Sequence, residues 1–558
     1  MSFLIIIGGI LTVTLIPLLA RRFLYPHPLP GIPYDKDAVK RITGDSPRIS
    51  ATYKELTEWL YPIVRRQSLQ LQSPVSQLFM NPFSKPLVIV DDPRELADLI
   101  RRRTKEFDRD ITEGVFGTLV PYSTIAQATT PEWKKQRRIW HDTMHPNFLH
   151  RVVAKNTYSA VKDLIKLWDM RCAHSDDQPI DVRMDFSFAT LDTLWVATFG
   201  ESLDLVDSQI QMLKTGKQVE TKGSYAHTTA QYINEFGETL TGFWPALTRW
   251  WIQRSSKYRK YMADKDRELG RILFDAFSRF KIAHNGSRDS EEHDTCAMDL
   301  VIRRSIYDAQ KAGKPIPDPT KDAKMKDELL LFIYAGHDTT STTLQWFVKH
   351  ITNNEGAQAK LREALRIAFP GDSLPSITDL LAKNIPYLDA VIEESLRCGA
   401  TAPRVMRIAT VDTEIFGHRI PAGTRVWGLT SANWHPIPVP EERRSLSSQA
   451  ALEKSGGVDW TQTPSAQDFD KYIPERWLKI NKDGKEIFDP TAVIHNPFGG
   501  GVRGCFGKRL AMMEIRIMVV SIVMSFKFLP VPPEFNSFQV TQKLLRSPRQ
   551  CFVKLKTV

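Results

Sequence analysis

A mainly helical fold with small β-sheets (α+β) is predicted by three observations along the chain. Lys326 to His350 reads KDELLLFIYAGHDTTSTTLQWFVKH, a run apolar on most faces and long enough for an interior helix. Gly507 to Phe526, GKRLAMMEIRIMVVSIVMSF, carries a second long apolar helical pattern. From about residue 50, helical periods alternate with short strand-like runs such as Lys85 to Asp92, KPLVIVDD. No repeat or low-complexity block divides the 558 residues, which allows one large domain.

Composition narrows the function classes. The chain is 42% hydrophobic and 25% charged, which argues against disorder. Lys plus Arg outnumber Asp plus Glu by 75 to 64, and the excess of +11 has no basic tail. That speaks against nucleic acid and for an acidic protein partner or an anionic membrane surface. Cys172, Cys296, Cys398, Cys505 and Cys551 are odd in number and widely spaced, as reduced thiols facing the cytosol would be.

Phe3 to Ala20, FLIIIGGILTVTLIPLLA, is uncharged, ends at Arg21-Arg22 and is near the length of a transmembrane helix. No Lys or Arg precedes it and no small-x-small site follows it cleanly, so an uncleaved anchor is preferred to a removed signal. The positive-inside rule then leaves the remainder in the cytosol, and Asn285-Gly286-Ser287 unmodified. Residues 1–22 are read as the anchor, 23–49 as a proline-rich linker and 50–558 as the catalytic domain. Within the linker, YPHPLPGIP (Tyr25 to Pro33) is expected to be a stiff, extended spacer.

The chemistry concentrates in FGGGVRGCFGKRLA, residues 498–511. A cysteine in a glycine-rich turn entering a helix is placed to act as a thiolate, with Arg503 adding a nearby cation. Gly499, Gly500, Gly501, Gly504 and Gly507 let backbone N–H groups and a flat partner come close. This surround suits a soft or borderline metal, and the absence of a second Cys or His at ligand spacing speaks against zinc. The spacing Phe498-x-x-Gly501-x-Arg503-x-Cys505-x-Gly507 resembles the haem-binding signature of the cytochrome P-450 family, the haem-thiolate monooxygenases. With the N-terminal anchor, the chain resembles the microsomal type and its fungal members.

That resemblance implies haem b (iron protoporphyrin IX), with Cys505 as the axial iron ligand whose electron donation promotes O–O cleavage. Phe498 would shield the sulfur, while Gly501 and Gly507 would allow the tight loop. Trp133 and Arg137, at i and i+4 in PEWKKQRRIWHDTMHPNFLH (131–150), resemble a propionate clamp, joined by Arg407 in PRVMR and by Arg503. In AGHDTT (335–340), Gly336 would open a groove for dioxygen, and Asp338 with Thr339 would conduct protons to it. The pattern itself reads as a buried acid beside a hydroxyl, which needs a purpose because unpaired polar burial is costly. Glu394 and Arg397 in IPYLDAVIEESLRC, with Arg476 in YIPERW, match a structural triad that locks the core. Thr401 and Ala402 are expected to face the substrate.

Two stretches depart or stay open. About 30 residues separate Trp434–Pro436 from the YIPERW element, and the stretch 437–468 reads as a surface insertion that bears on reductase docking but not on the active site. GFWPALTRWWIQR (242–254) reads equally as core or as a membrane interface beside the substrate entrance.

The function implied is a cytochrome P-450 monooxygenase. It would insert one oxygen atom of dioxygen into a lipophilic small molecule, by hydroxylation or epoxidation, in secondary-metabolite biosynthesis. Electrons would come from NADPH through a membrane-bound NADPH–cytochrome P-450 reductase, whose acidic surface complements Lys134, Lys135, Lys508 and Arg509. The enzyme would sit on the endoplasmic reticulum membrane as a single-pass protein facing the cytosol, with the lipid bilayer a partner and nucleic acid none. Two alternatives stand: a haem-thiolate isomerase or dehydratase that needs no reductase, and a non-catalytic haem-binding protein.

Overall fold

The structure, a computed structural model, describes residues 23–80, 84–111, 115–175, 177–217, 245–283, 294–371, 373–430, 434, 436–457, 461, 463 and 466–558. The apolar run Phe3 to Ala20, Phe243, Trp244 and the Asn285 acceptor pattern lie outside them. Among the described residues, no helix is long and apolar enough to cross a membrane. Seven helices carry the argument, in chain order: α1 (Pro93–Arg101), α2 (Pro131–Ile139), α3 (Arg183–Phe199), α4 (Ala323–Thr352), α5 (Pro386–Gly399), α6 (Leu446–Lys454) and α7 (Lys508–Ser525). The chain forms two compact units.

The first unit takes residues up to Asp110, Pro403–Gln462 and Ile494–Gly504. Its centre is a sheet of β1 (Val75–Leu78), β2 (Leu87–Val90), β3 (Phe107–Arg109), β4 (Arg404–Ala409) and β5 (Arg425–Leu429), in the order β1-β2-β5-β4-β3. Only β2 and β5 run parallel; the other neighbours are antiparallel. The LVIV of β2 is wholly buried, and Val75, Val88, Val90, Phe107, Ala409 and Val426 join Leu99 of α1 in one core. β-branched and aromatic side chains suit that pleated, enclosed surface. Helix α1 starts where the strand-like run ends. Asp92 caps it by accepting from the Glu95 amide at 2.7 Å, and Pro93 takes the first turn, where its missing N–H costs nothing.

The proline-rich stretch is not a free spacer over its second half. Ile32 is buried in the core of the first unit, and Tyr34 bridges to Gln77 on β1. The buried Gln77 amide accepts from the Leu29 N–H (2.9 Å) and donates to the carbonyls of Leu29 (3.0 Å) and Ile32 (2.7 Å). A stretch poor in N–H donors needs such side-chain partners to be held at all.

The second unit takes Ile111–Ala402, Thr463–Val493 and Cys505–Val558. It is helical, with α4 through its interior: Leu329, Leu330, Ile333, Leu344, Trp346, Phe347, Val348 and Ile351 are all buried. The Asp322 carboxylate caps α4 by accepting from the amides of Lys324 and Met325. Helix α7 is buried from Ile515 to Val523 except at Arg516, which explains its near-continuous apolar pattern. It runs into a three-stranded antiparallel sheet of Phe526–Leu529, Phe552–Thr557 and Ile180–Asp181. The aromatic cluster near 250 is not core: Leu247, Trp250 and Trp251 are exposed, and the Arg254 guanidinium lies 3.9 Å from the Trp250 ring.

Candidate active site

In the second unit, Cys505 lies just before α7, whose N-cap is Gly507. The thiol is exposed, yet its packed sides desolvate it enough to raise its pKa. The Gly507 N–H, Arg137 and Lys508 pull the other way, toward the thiolate. Gly507 was expected to permit a tight loop, but its φ of −84° is ordinary. What it supplies is the N–H beside the sulfur, and a Cβ there would meet nothing within 4 Å, which leaves room for a flat group.

Thr130 caps α2 by accepting from the Trp133 amide at 3.1 Å, and Trp133 and Arg137 share a face as predicted. The Arg137 guanidinium sits 5.3 Å from the Trp133 ring and 4.8 Å from that of Phe506, next to the cysteine. Burial lowers the pKa of Arg137, and the nearby Cys505 and Glu328 raise it. The indole N–H of Trp133 does not point to an open acceptor: it donates to the Thr124 carbonyl at 2.9 Å. Thr124 is fixed in turn, its amide donating to the buried Glu328 carboxylate of α4 at 2.7 Å, and Gln136 donates there too at 3.1 Å. Trp133 is thus a braced platform under Arg137, and not a second donor aimed outward.

Helix α4 is buried along most of its length but not at its centre. Ala335 and Asp338 are exposed and Thr339 half-exposed, while Ile333, Tyr334, His337 and Thr340 are buried. Asp338 is therefore not the buried acid that the pattern suggested; it lies on the accessible face of an otherwise enclosed helix. The Thr339 hydroxyl donates back to the Ala335 carbonyl at 2.8 Å, the expected side-chain competition within a helix. Gly336 has a packing reason: a Cβ there would lie 2.4 Å from Leu194 Cδ1 on α3. Its missing side chain lets two helices approach, so the accessible face belongs to Ala335, Asp338 and Thr339. Thr401 is not open to substrate either; it is buried, and its hydroxyl pairs with that of Thr343 on α4 at 3.1 Å.

The first unit holds the other motif residues. Phe498 and Arg503 are half-buried, Arg503 in the short turn Gly501–Arg503. Gly501 must be glycine twice over: φ is +62°, and a Cβ would come within 2.2 Å of the Ile100 carbonyl oxygen. Arg407 on β4 is buried, and among the described residues its side chain has one hydrogen bond, donated to the Met406 carbonyl at 3.0 Å. No carboxylate forms an ion pair with it among the described residues. Directly opposite in register stands Arg109 on β3, whose buried Nε also lacks an acceptor. Burial, then Arg109, pull Arg407 down to about 10, against the pull of Asp108. Like charges paired across strands are unfavourable, and two such guanidiniums call for an anion. Sequence reasoning missed Arg109; its signal was the single arginine between two aspartates in the EFDRD run of residues 106–110.

The triad residues meet in the second unit. Arg397 donates to both Glu394 oxygens at 2.8 Å, and Arg476 donates to one of them at 3.0 Å. The Trp477 indole (2.9 Å) and the Ile473 amide (2.8 Å) complete the shell. Burial alone would raise the Glu394 pKa; the guanidiniums and N–H donors overcome it and hold the carboxyl at about 2.

Glu514, another residue missed in the sequence, is fully buried on α7. Neither of its oxygens has a partner in hydrogen-bond geometry; beside it is the Thr340 hydroxyl of α4, likewise buried and unbonded. Burial pushes its pKa up to about 8, with Thr340 offsetting part of that. The folded chain therefore holds a proton that the unfolded chain, titrating near 4.3, has released, so stability falls as pH rises between these values. Glu514→Gln is expected to flatten that fall by about 1.4 kcal/mol per pH unit. Urea melts at pH 5, 6.5 and 8 measure it, and parallel profiles for both proteins would refute it.

The comparisons with known proteins place the chain in a family. The family model described as Cytochrome P450 matches residues 69–434 and 467–555, and passes over the segment between them. A cytochrome P450 monooxygenase of Pestalotiopsis microspora is 32% identical over 99% of this chain and 97% of its own length. One from Fusarium sporotrichioides is 28% identical over 96% of each chain, and one from Penicillium crustosum is 30% identical over 96% of this chain and 94% of its own. A crystal structure of a cytochrome P450 (CYP102L1) aligns with a TM-score of 0.62 over 89% of this chain and 94% of that one; at 16% identity it speaks to the fold alone. With a family model covering most of its length and near end-to-end likeness to fungal monooxygenases, the chain belongs to the cytochrome P450 family and is an enzyme of that monooxygenase class.

Proposed function

We propose that this enzyme inserts one oxygen atom of dioxygen into a lipophilic small molecule of secondary metabolism, by hydroxylation or epoxidation. The observation that carries the reading is the accessible Asp338–Thr339 face on an otherwise buried helix. Reduction of dioxygen consumes protons, and an acid beside a hydroxyl on an accessible face is suited to supplying them. The family implies a haem-iron cofactor, and the residues suit haem b: an accessible thiol with an N–H beside it, open space over Gly507, and an Arg109 guanidinium whose buried Nε has no acceptor. Cys505 would hold the iron, while Arg407, Arg109, Arg137 and Arg503 would hold the propionates. Bound haem supplies the oxygen-activating chemistry.

The chain's own residues handle the protons. Asp338, on the accessible face, would deliver a proton, and Thr339 would pass it on by turning its hydroxyl away from the Ala335 carbonyl that it bonds at rest. Lys134, Lys135, Lys508 and Arg509 are all exposed on the second unit and would favour an acidic reductase delivering electrons from NADPH. We place the enzyme on the endoplasmic reticulum membrane, held by residues 1–22 with the linker and catalytic body cytosolic; exposed Trp250 and Trp251 would touch the bilayer.

The test is reconstitution with NADPH and the reductase, screening lipophilic candidates by displacement of the iron-bound water in the Soret band. Thr339→Ala is expected to keep substrate binding and release peroxide in place of product, and Thr339→Ser to restore coupling. Product formation that is unchanged without reductase would favour an isomerase or dehydratase. Equal coupling in the parent and Thr339→Ala would remove the proton route.

A further inference from the structure

The family model passes over residues 435–466, so the role of this segment has to be read from its own contacts. Its described part forms a short turn, Glu441–Arg443, followed by α6, and it grips α1 along one face. Arg444 donates to both oxygens of the Asp92 carboxylate, at 3.0 and 2.9 Å, and both side chains are buried. Asp92 is also the cap of α1, so the clamp and the helix start share one group. Arg94 pairs with Glu441, and Ser445 (2.6 Å) and Ser447 (2.8 Å) donate to Asp98. Asp92, Glu95 and Asp98 recur at three-residue spacing, which puts three buried carboxyls on one helix face. Burial, then its two acidic neighbours, push Glu95 up to about 7, and Arg103 and Arg444 counter them. Without the insertion this stripe would lack Arg444 and the two serine hydroxyls.

The far end of α1 is the surface on which the cysteine loop rests. A Cβ on Gly500 would come within 2.7 Å of Arg101 Cγ, and one on Gly501 within 2.2 Å of the Ile100 oxygen. Asn496 ties the two together: its amide donates to the Pro93 carbonyl at 3.2 Å and accepts from Arg101 at 3.1 Å, and its own carbonyl accepts from the Gly499 N–H at 2.9 Å. We propose that Arg444 and its neighbours in the insertion are positioning residues for the cysteine loop. They clamp α1 so that its last turn holds Gly499–Gly504, the stretch leading directly into Cys505, in one conformation. The insertion that looked like surface decoration thus acts on the active site. The spectroscopic consequence rests on the haem-thiolate reading; the mechanical one does not.

Two measurements on the full-length protein separate these. Arg444→Ala is expected to speed amide exchange across α1 and Gly499–Gly504 by about tenfold or more, as loss of a buried pair loosens a local unit. In the reduced, carbon-monoxide-treated protein it should also lower the urea concentration at which the red-shifted thiolate band gives way to the shorter-wavelength one. Arg444→Lys, which keeps the charge but not the fork, should fall between. If Arg444→Ala does not fold, Ser445→Ala/Ser447→Ala leaves the ion pair intact and should speed loop exchange by about threefold. The control is Lys265→Met, which removes a pair of like burial in the second unit (Lys265–Asp327, 2.6 Å) and should leave the loop's exchange unchanged. Loop exchange that is unmoved by the insertion variants, or raised as much by Lys265→Met, overturns the proposal. A parent protein without the red-shifted band overturns the haem-thiolate reading instead, and the exchange result still decides the clamp.

Discussion

Cys505→Ser is expected to leave a folded chain with no turnover. The sulfur has one hydrogen-bonding neighbour that favours its charge, the Gly507 N–H, and the loop's conformation rests on contacts that do not involve it. Gly501 against the Ile100 carbonyl and Gly499 bonded to Asn496 would persist in the serine variant. Melting of the haem-free protein should therefore shift by no more than about 0.5 kcal/mol. Activity should fall by at least about a thousandfold, equivalent to about 4 kcal/mol of barrier, because a neutral hydroxyl cannot make the thiolate's bond to iron. The reduced, carbon-monoxide-treated protein should lose its red-shifted band. A serine variant that keeps both band and activity would falsify the assignment of Cys505.

Arg397→Ala should destabilise the second unit by about 3–5 kcal/mol, because Glu394 is wholly buried and would keep only one of its two guanidiniums. Arg397 also donates to the carbonyls of Phe469 (2.8 Å) and Lys471 (2.9 Å), so its loss unties a loop as well as an ion pair. Lysine should not rescue it, since a single ammonium cannot span both oxygens and two carbonyls. The pH dependence follows from the depressed pKa of Glu394. Its contribution is fully present above the unfolded value near 4.3 and is lost as pH falls through about 2. The gap between parent and variant in urea melts should narrow over that range. A deficit below 1 kcal/mol at neutral pH, or one that does not change with acid, would show that the triad is not what holds this core.

The parts of the molecule that were legible beforehand are those whose causes are local. The apolar period of α4 and α7, the threonine and proline opening α2, and the three-residue step from Glu394 to Arg397 all act over one or two helical turns. The misreadings arose where the partner is remote. Arg444 and Asp92 are 352 positions apart, and nothing near either one announces the other. Gly336 looked like a groove because its neighbour Leu194 belongs to a different helix. Asp338 looked buried because burial was inferred from the helix as a whole, when only one narrow face of it is open. Glu514 stood in plain view within an apolar run, but its burial depends on α4 lying alongside.

On the proposed anchoring through the N-terminal segment, the grip of Gln77 on Leu29 and Ile32 would shorten the leash between membrane and enzyme. For a chain inserted through residues 3–20, only the stretch from Arg21 to Leu29 remains to pay out, no more than about 30 Å when fully extended. The first unit would then ride low over the headgroups, and a hydrophobic compound dissolved in the lipid would reach it without a long passage through water.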